Sequence, residues 1–380
     1  MIERQKRPFY IIAHNPNTIE EAREYLNKGV NAIEPDILHV DGTFYVCHHA
    51  LPSYEGIPTV QEYLRDLKAL LLDREYDLSL MIWDMKETDF DINDFVEIVR
   101  ENFSGAPFDA ITMLITHGDA HEFVNRYNGK YDNIAVGVDE SNVPPAELEE
   151  IFRNGGQTNI SYADGITTFL AKPGVYGNII SALSCRDKNE PGTFGFIYTW
   201  VLAKEASMRR YLDTYLDGIM VDPPAVERLR KLVTGEPYNE IYRLATNGDN
   251  PFKKTPIPHY QLDIKTSGKL GAGTDARIIF TLAGSNSRSL KSLPVNGNDW
   301  GAFERGTITQ VLLEGIDVGE IESLTIEPIT AGLTAAWLPE SITVNSNWLQ
   351  SPVSFDFSDS DNEWVRKKTG PLVKYPTAVA

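Results

Sequence analysis

Short apolar runs alternate with longer amphipathic stretches through the first 240 or so residues of the chain. Eight of the short runs read as strands, over residues 9–13, 30–34, 80–84, 110–116, 134–138, 158–161, 195–200 and 217–221. Between them, apolar residues recurring every three or four positions predict helices over 18–28, 60–72, 92–102, 145–154 and 204–214. Thr18 with Glu21 three residues on is a capping box at the first of these. Eight strand–helix units in about 240 residues have the size and rhythm of an α/β fold, the (β/α)8 TIM barrel of parallel strands.

The pattern changes after Tyr242. Gly, Asn, Asp and Pro dominate residues 246–258, and no long helical period follows. Short β-rich runs recur instead, over 260–265, 277–283, 308–313, 323–327 and 341–344, with turn residues between them. This predicts a second domain, an antiparallel β-sandwich. The expected boundaries are a barrel with a closing tail over 1–252, a linker over 253–258, the sandwich over 259–366 and a flexible end over 367–380.

Composition narrows the class. Apolar residues make up 42% of the 380 and charged residues 23%, enough for a packed core and too apolar for global disorder. The formal charge of -19 argues against nucleic acid as a partner, since phosphates would be repelled. No stretch approaches the roughly 20 apolar residues of a membrane span. The opening Met-Ile-Glu-Arg-Gln-Lys-Arg lacks the apolar core of a secretory signal. Cys47 and Cys185 are the only cysteines, and spacing alone does not say whether they pair.

Candidate chemistry collects where strands end. His14, Glu34, Asp36, Asp84 and Lys86 each follow an apolar run, as do the adjacent His48 and His49. In a parallel barrel those ends converge on one face, where active sites form. Glu34 and Asp36 are two apart and so share a side of their strand. With Asp84 they make an all-oxygen site of the kind Mg²⁺ prefers. The histidines suit proton transfer near neutral pH. Only one of His48 and His49 can enter the site if both lie on a strand, and counting from the Asp41-Gly42 turn favours His48. Lys86, on the same side as Asp84, is a candidate for a phosphate oxygen. Asp164, Trp200 and Asp222 close the last three strands, and Trp200 could offer an aromatic face to a quaternary ammonium. His117 and His121 are expected at structural or rim positions.

A resemblance sharpens this reading. The pieces are Ala13-His14, Asn31-Ala32-Ile33-Glu34-Pro35-Asp36, Trp83-Asp84-Met85-Lys86, Ser161-Tyr162-Ala163-Asp164-Gly165-Ile166-Thr167, Tyr198-Thr199-Trp200 and Asp217-Gly218-Ile219-Met220. After them comes Ala245-Thr246-Asn247-Gly248-Asp249-Asn250-Pro251-Phe252. Together they resemble the toxin-type sphingomyelinase D/phospholipase D family, related to the glycerophosphodiester phosphodiesterases. The last piece is similar to that family's barrel-plugging tail, with Phe in place of Trp. The resemblance implies that Glu34, Asp36 and Asp84 bind Mg²⁺, and that His14 and one of His48 and His49 are the catalytic pair. It also implies that Lys86, Tyr198 and Trp200 contact the substrate. The chain departs from the pattern at His48-His49-Ala50, where a single His followed by Gly is usual. Ala203 stands where an acid often follows the Trp, and residues 50–58 lack the cysteine of spider-venom members.

The second domain resembles a PLAT (lipoxygenase-homology) domain through residues 266–276, Phe303-Glu304-Arg305-Gly306 and Trp337-Leu338. Such domains dock enzymes onto lipid or protein, some with Ca²⁺, and the loop carrying Asp275 is the candidate Ca²⁺ site. Trp300, Trp337 and Trp348 are expected to include a core residue and a candidate membrane-inserting tip. The combined expectation is a secreted, monomeric phospholipase D acting on sphingomyelin or lysophospholipid at a membrane or lipoprotein surface. Its product would be a cyclic phosphate. The rivals are a phosphodiesterase for small soluble glycerophosphodiesters and a non-catalytic lipid-binding protein. His14-Asn15-Pro16 and Asp84-Met85-Lys86 differ from the His-Arg-Gly and Glu-x-Lys usual in the soluble enzymes.

Overall fold

The computed structural model describes residues 5–73, 76–103, 111–117, 121–139, 141–165, 173–186, 192–252, 257–297, 301–330, 336–346, 348–357, 364–366 and 370–377. The chain divides into two compact units, one comprising residues 7–212 and 216–256 and the other built on 257–380.

The first unit is a closed barrel of eight parallel strands. These are β1 (Arg7–His14), β2 (Ala32–Glu34) with its continuation β3 (Asp36–Val40), β5 (Leu80–Met85), β6 (Ile111–His117), β7 (Ile134–Asp139), β8 (Ile160–Gly165), β9 (Phe194–Trp200) and β10 (Gly218–Val221). β10 returns to β1 in register, with Tyr10 beside Gly218 and Ala13 beside Val221. A hairpin strand β4 (Thr43–Val46) folds back on β3 through Asp41 and Gly42, both at positive φ. Helices α1 (Ile19–Lys28), α2 (Val60–Asp73), α3 (Ile92–Asn102), α4 (His121–Val124), α5 (Pro145–Asn154), α6 (Pro173–Cys185), α7 (Glu205–Leu212) and α8 (Val226–Thr234) fill the connections. The capping box expected at Thr18 forms, Thr18 and Glu21 each accepting the other's backbone N–H. Thr59 and Glu62 repeat it at the start of α2.

Alternation along the strands sorts inside from outside. Tyr10 and Ile12, Leu80 and Ile82, Ile111, Met113 and Ile115, and Phe196 and Tyr198 form one buried cluster. The closing segment reaches the N-terminal end of that cluster. Strand β11 (Tyr242–Leu244) pairs with the start of β1, and Ala245 and Phe252 pack against the cluster. Gly195 makes room for this, since a Cβ there would lie 2.6 Å from Phe252 Cδ1. Arg243 and Asp249 form a two-pronged ion pair at 2.5–2.6 Å, and the Asn31 amide donates to the carbonyls of Phe9 and Ala245. At the same end, Asp217 accepts from Arg7 and Arg186, both at 2.9 Å, with all three side chains at most 2% exposed. Cys47 and Cys185 are buried and unpaired with each other.

The second unit is all antiparallel β. One sheet has the order β16 (Ile308–Glu314), β12 (His259–Thr266), β19 (Pro339–Asn345), β20 (Val353–Asp356). The other runs β14 (Arg288–Lys291), β13 (Arg277–Gly284), β17 (Ile321–Pro328), β22 (Leu372–Lys374), with β15 (Val295–Asn296) also on β13. A short pair, β18 (Ala336–Trp337) with β21 (Val365–Arg366), adds to them. Alternate residues of both sheets, including Tyr260, Leu262, Ile264, Phe280, Leu324 and Ile342, share one core.

One expectation for this unit changes: the end over 367–380 is not wholly flexible, because β22 pairs with β17. Trp337 is the core residue expected among the three tryptophans, 1% exposed, its Nε1–H donating to Thr266 Oγ1. Trp348 packs edge-on to His259, while Trp300 lies outside the described residues, as does most of the expected linker. No helix among the described residues is long and apolar enough to cross a membrane.

The Arg7–Asp217–Arg186 group carries a stability prediction. Asp217→Ala leaves two buried guanidinium groups without their shared carboxylate, and should cost about 3–5 kcal/mol in chemical denaturation. A loss under about 1 kcal/mol would show that the group does not hold the barrel together.

Candidate active site

At the C-terminal ends of the strands, the inward positions turn from apolar to charged. Stepping by twos beyond the core leads to His14 on β1, Glu34 and Asp36 on β2 and β3, Asp84 and Lys86 on and after β5, and His117 on β6. It leads likewise to Asp139 on β7, Trp200 on β9 and Asp222 after β10. Parallel register then makes neighbours of them. His14 lies beside Glu34, and Asp36 beside Asp84.

Glu34, Asp36 and Asp84 are all buried, and each offers an oxygen within 4.8 Å of the others. Asn17 clasps Asp36, its Nδ2 donating to Oδ2 at 2.7 Å and its Oδ1 accepting the Asp36 N–H at 2.8 Å. Lys86 Nζ bridges Asp36 Oδ1 (2.8 Å) and Asp84 Oδ2 (2.5 Å). Burial disfavours the Lys86 ammonium, but the two carboxylates outweigh it and hold its pKa above the ordinary lysine value. Burial works against the Asp84 carboxylate too, yet His117 and Lys86 hold its pKa low. For Glu34 the relief, from the Asn15 N–H and Lys86, is too small. Burial first, then Asp84 and Asp36, push its pKa well above the usual range. Three buried carboxylates around one ammonium leave negative charge that a divalent cation would neutralise, and an all-oxygen donor set suits a hard ion. The triad therefore fits a metal.

Two histidines stand beside it. His14 Nδ1 lies 2.9 Å from Asp222 Oδ1, which orients the ring with Nε2 toward the carboxylates. His48 Nδ1 lies 3.1 Å from Asp36 Oδ1. Residues 48 and 49 form a bend rather than a strand, and His49 packs against the His48 ring with its centroid 4.1 Å away. His48 is thus the member of the pair that meets the acids. The far wall is Trp200, whose Nε1–H donates to Asp139 Oδ1 at 2.5 Å. Gly165 lets the indole lie there, because a Cβ would come within 2.0 Å of the Trp200 carbonyl oxygen. Tyr198 is fully buried, and its hydroxyl has no hydrogen-bond partner among the described residues.

His117, expected at a structural or rim position, is 40% exposed and sets Nε2 2.9 and 3.0 Å from the two Asp84 oxygens and Nδ1 3.8 Å from Asp139 Oδ2. Its hydrogen bond to Asp84 raises its pKa. Asp139 was not foreseen. The two-residue step along β6 and β7 is the signal that finds both. Asp164 faces the other way, accepting from Asn178 on α6 at 2.7 Å, and has no place at the mouth.

Residues 4–99 and 112–252 match the profile described as dermonecrotic toxin SPH. The chain belongs to that dermonecrotic toxin family. It is a family of sphingomyelinase D, phospholipase D-type phosphodiesterases, so the resemblance read from the motifs holds. Among its members, dermonecrotic toxin LlSicTox-alphaIV1i of Loxosceles laeta is 26% identical over 284 residues, 64% of this chain and 99% of the toxin. SpeSicTox-betaIIA2ii of Sicarius peruensis is 28% identical over 287 residues, 65% of this chain and all of that one. Residues 260–376 match the PLAT/LH2 domain. A solved glycerophosphodiester phosphodiesterase from Parabacteroides distasonis is 16% identical with a TM-score of 0.43, covering 60% of this chain and 98% of its own.

Cation binding to this dermonecrotic toxin domain is open to direct measurement. After treatment with EDTA, a divalent cation at a hundred times its dissociation constant should stabilise the protein by about 2.7 kcal/mol in a thermal melt. In Asp84→Ala that gain should vanish. A wild-type melt indifferent to every divalent cation would remove the metal from the site.

Proposed function

We propose that this protein is a Mg²⁺-dependent phospholipase D that cleaves the headgroup from sphingomyelin or lysophospholipids and leaves a cyclic phosphate. The observation that carries this reading is the convergence of Glu34, Asp36 and Asp84, with Lys86 between two of them and His14 and His48 on either side.

Glu34, Asp36 and Asp84 would hold the Mg²⁺, which supplies positive charge against the phosphate oxygens. Lys86 adds a second positive charge on the same group. The free hydroxyl of the substrate attacks phosphorus while His14 Nε2 takes its proton, with Asp222 steadying the imidazolium. The bond from phosphorus to the headgroup oxygen breaks, and His48 gives that oxygen a proton. Trp200 and the Asp139 carboxylate form a wall suited to a cationic headgroup. The unpartnered Tyr198 hydroxyl is a donor for the substrate.

The PLAT domain would hold the barrel at a lipid surface, where effective concentration replaces new contacts. Asp275 remains its proposed Ca²⁺ residue. Relatives named as toxins support a secreted role, and we take the monomer as the working unit.

The test is ³¹P NMR of the full chain with Mg²⁺ and either sphingomyelin or lysophosphatidylcholine. A cyclic phosphate signal that disappears with EDTA is expected. Turnover of glycerophosphocholine with neither lipid touched would move the protein to the soluble phosphodiesterases. On the same assay, removing the residues after Phe252 should slow turnover on vesicles more than on monomeric lipid. Equal losses would end the docking role.

A further inference from the structure

Asn15 enters the carboxylate cluster from the turn after β1. Its φ is +51°, in the left-handed region that costs most side chains strain and that asparagine tolerates. Its backbone N–H donates to both the Glu34 carbonyl and Glu34 Oε2, each at 3.1 Å. The chain therefore holds this residue against the site at two points.

The head of the side-chain amide lies 3.2 Å from Asp36 Oδ2 and Glu34 Oε2 and 3.3 Å from His14 Nε2, which are three acceptors. With its nitrogen toward them the amide donates; turned half a revolution, it presents its oxygen to the same atoms. The two orientations answer opposite conditions. Oxygen inward is repelled by the carboxylates unless a cation lies among them, whereas nitrogen inward satisfies a cluster that has none. The spacing favours the first when an ion is present. Neighbouring oxygens around an octahedral ion with bonds of about 2.1 Å sit roughly 3 Å apart.

We propose that Asn15 is a fourth protein ligand of the cation held by Glu34, Asp36 and Asp84, and that its amide reverses when the cation leaves. This rests on the cation reading of the site given above. The reversal has a consequence for His14. With nitrogen inward, the amide occupies the Nε2 lone pair that must take the substrate's proton. With oxygen inward, that lone pair is released. A single amide thus couples metal occupancy to the readiness of the base.

Isothermal titration of Mg²⁺ into EDTA-stripped full-length protein tests the assignment without reference to activity. Asn15→Gly removes the side chain while keeping the left-handed backbone unstrained, and should weaken Mg²⁺ binding by about tenfold or more. Asn15→Asp keeps an inward oxygen. It should bind Mg²⁺ at least as tightly as wild type, while its cation-free form melts lower because a fourth carboxylate joins the cluster. Asp84→Ala, the control for the site itself, should lose binding. Wild-type affinity in Asn15→Gly would overturn the assignment and leave the cation site standing. So would a loss in Asn15→Asp equal to that in Asn15→Gly, which would show that the donor and not the oxygen matters. No binding by wild type would overturn both.

Discussion

The mouth of the barrel depends on the seam where its last strand meets its first. β10 pairs with β1 in register across more than two hundred residues of chain, and both ends of that seam are fixed by charge. At one end Asp217, just before β10, is clamped between Arg7 of β1 and Arg186 after α6, and also accepts the Ile197 N–H of β9. At the other end Asp222, just after β10, meets His14 at the end of β1. A slip of one residue would turn every inward side chain outward, and would part His14 from both Asp222 and Glu34. The buried acid below and the exposed one above thus answer to the same pairing.

Charge is tolerated at the mouth because it is arranged in compensating neighbours. Lys86 and His117 both reach Asp84, Lys86 and His48 both reach Asp36, and Asp139 joins His117 to Trp200. Only Glu34 lacks a basic side chain of its own, and its carboxyl is the one that burial and like charge drive upward. A divalent cation among the three carboxylates would offset that imbalance.

Much of this was legible in the sequence, for a physical reason. Glu34, Asp36, Asp84 and His14 each end an apolar run, so strand and mouth can be read together without knowing which strands touch. Asp222, Asp139 and His117 were harder, because their meaning comes from partners 33 to 208 residues away. Asp222 was marked as closing its strand, without its tie to His14; counting by twos along every strand would have enlisted Asp139 and His117, and would have dismissed Asp164, which falls on the outward step. The strand at 372–374 was hidden because three residues after Gly370-Pro371 carry no period of their own, and only the waiting edge of β17 makes them a strand. Asn15 escaped notice since its neighbours, not its type, give it chemistry.

The packing of Ala245 and Phe252 against the lower layer of the barrel has a consequence for traffic. Among the described residues, packed side chains rather than a channel lie between that segment and the acids. On the reading proposed above, the substrate would arrive at the face that carries His14 and Trp200, and both fragments would depart from it.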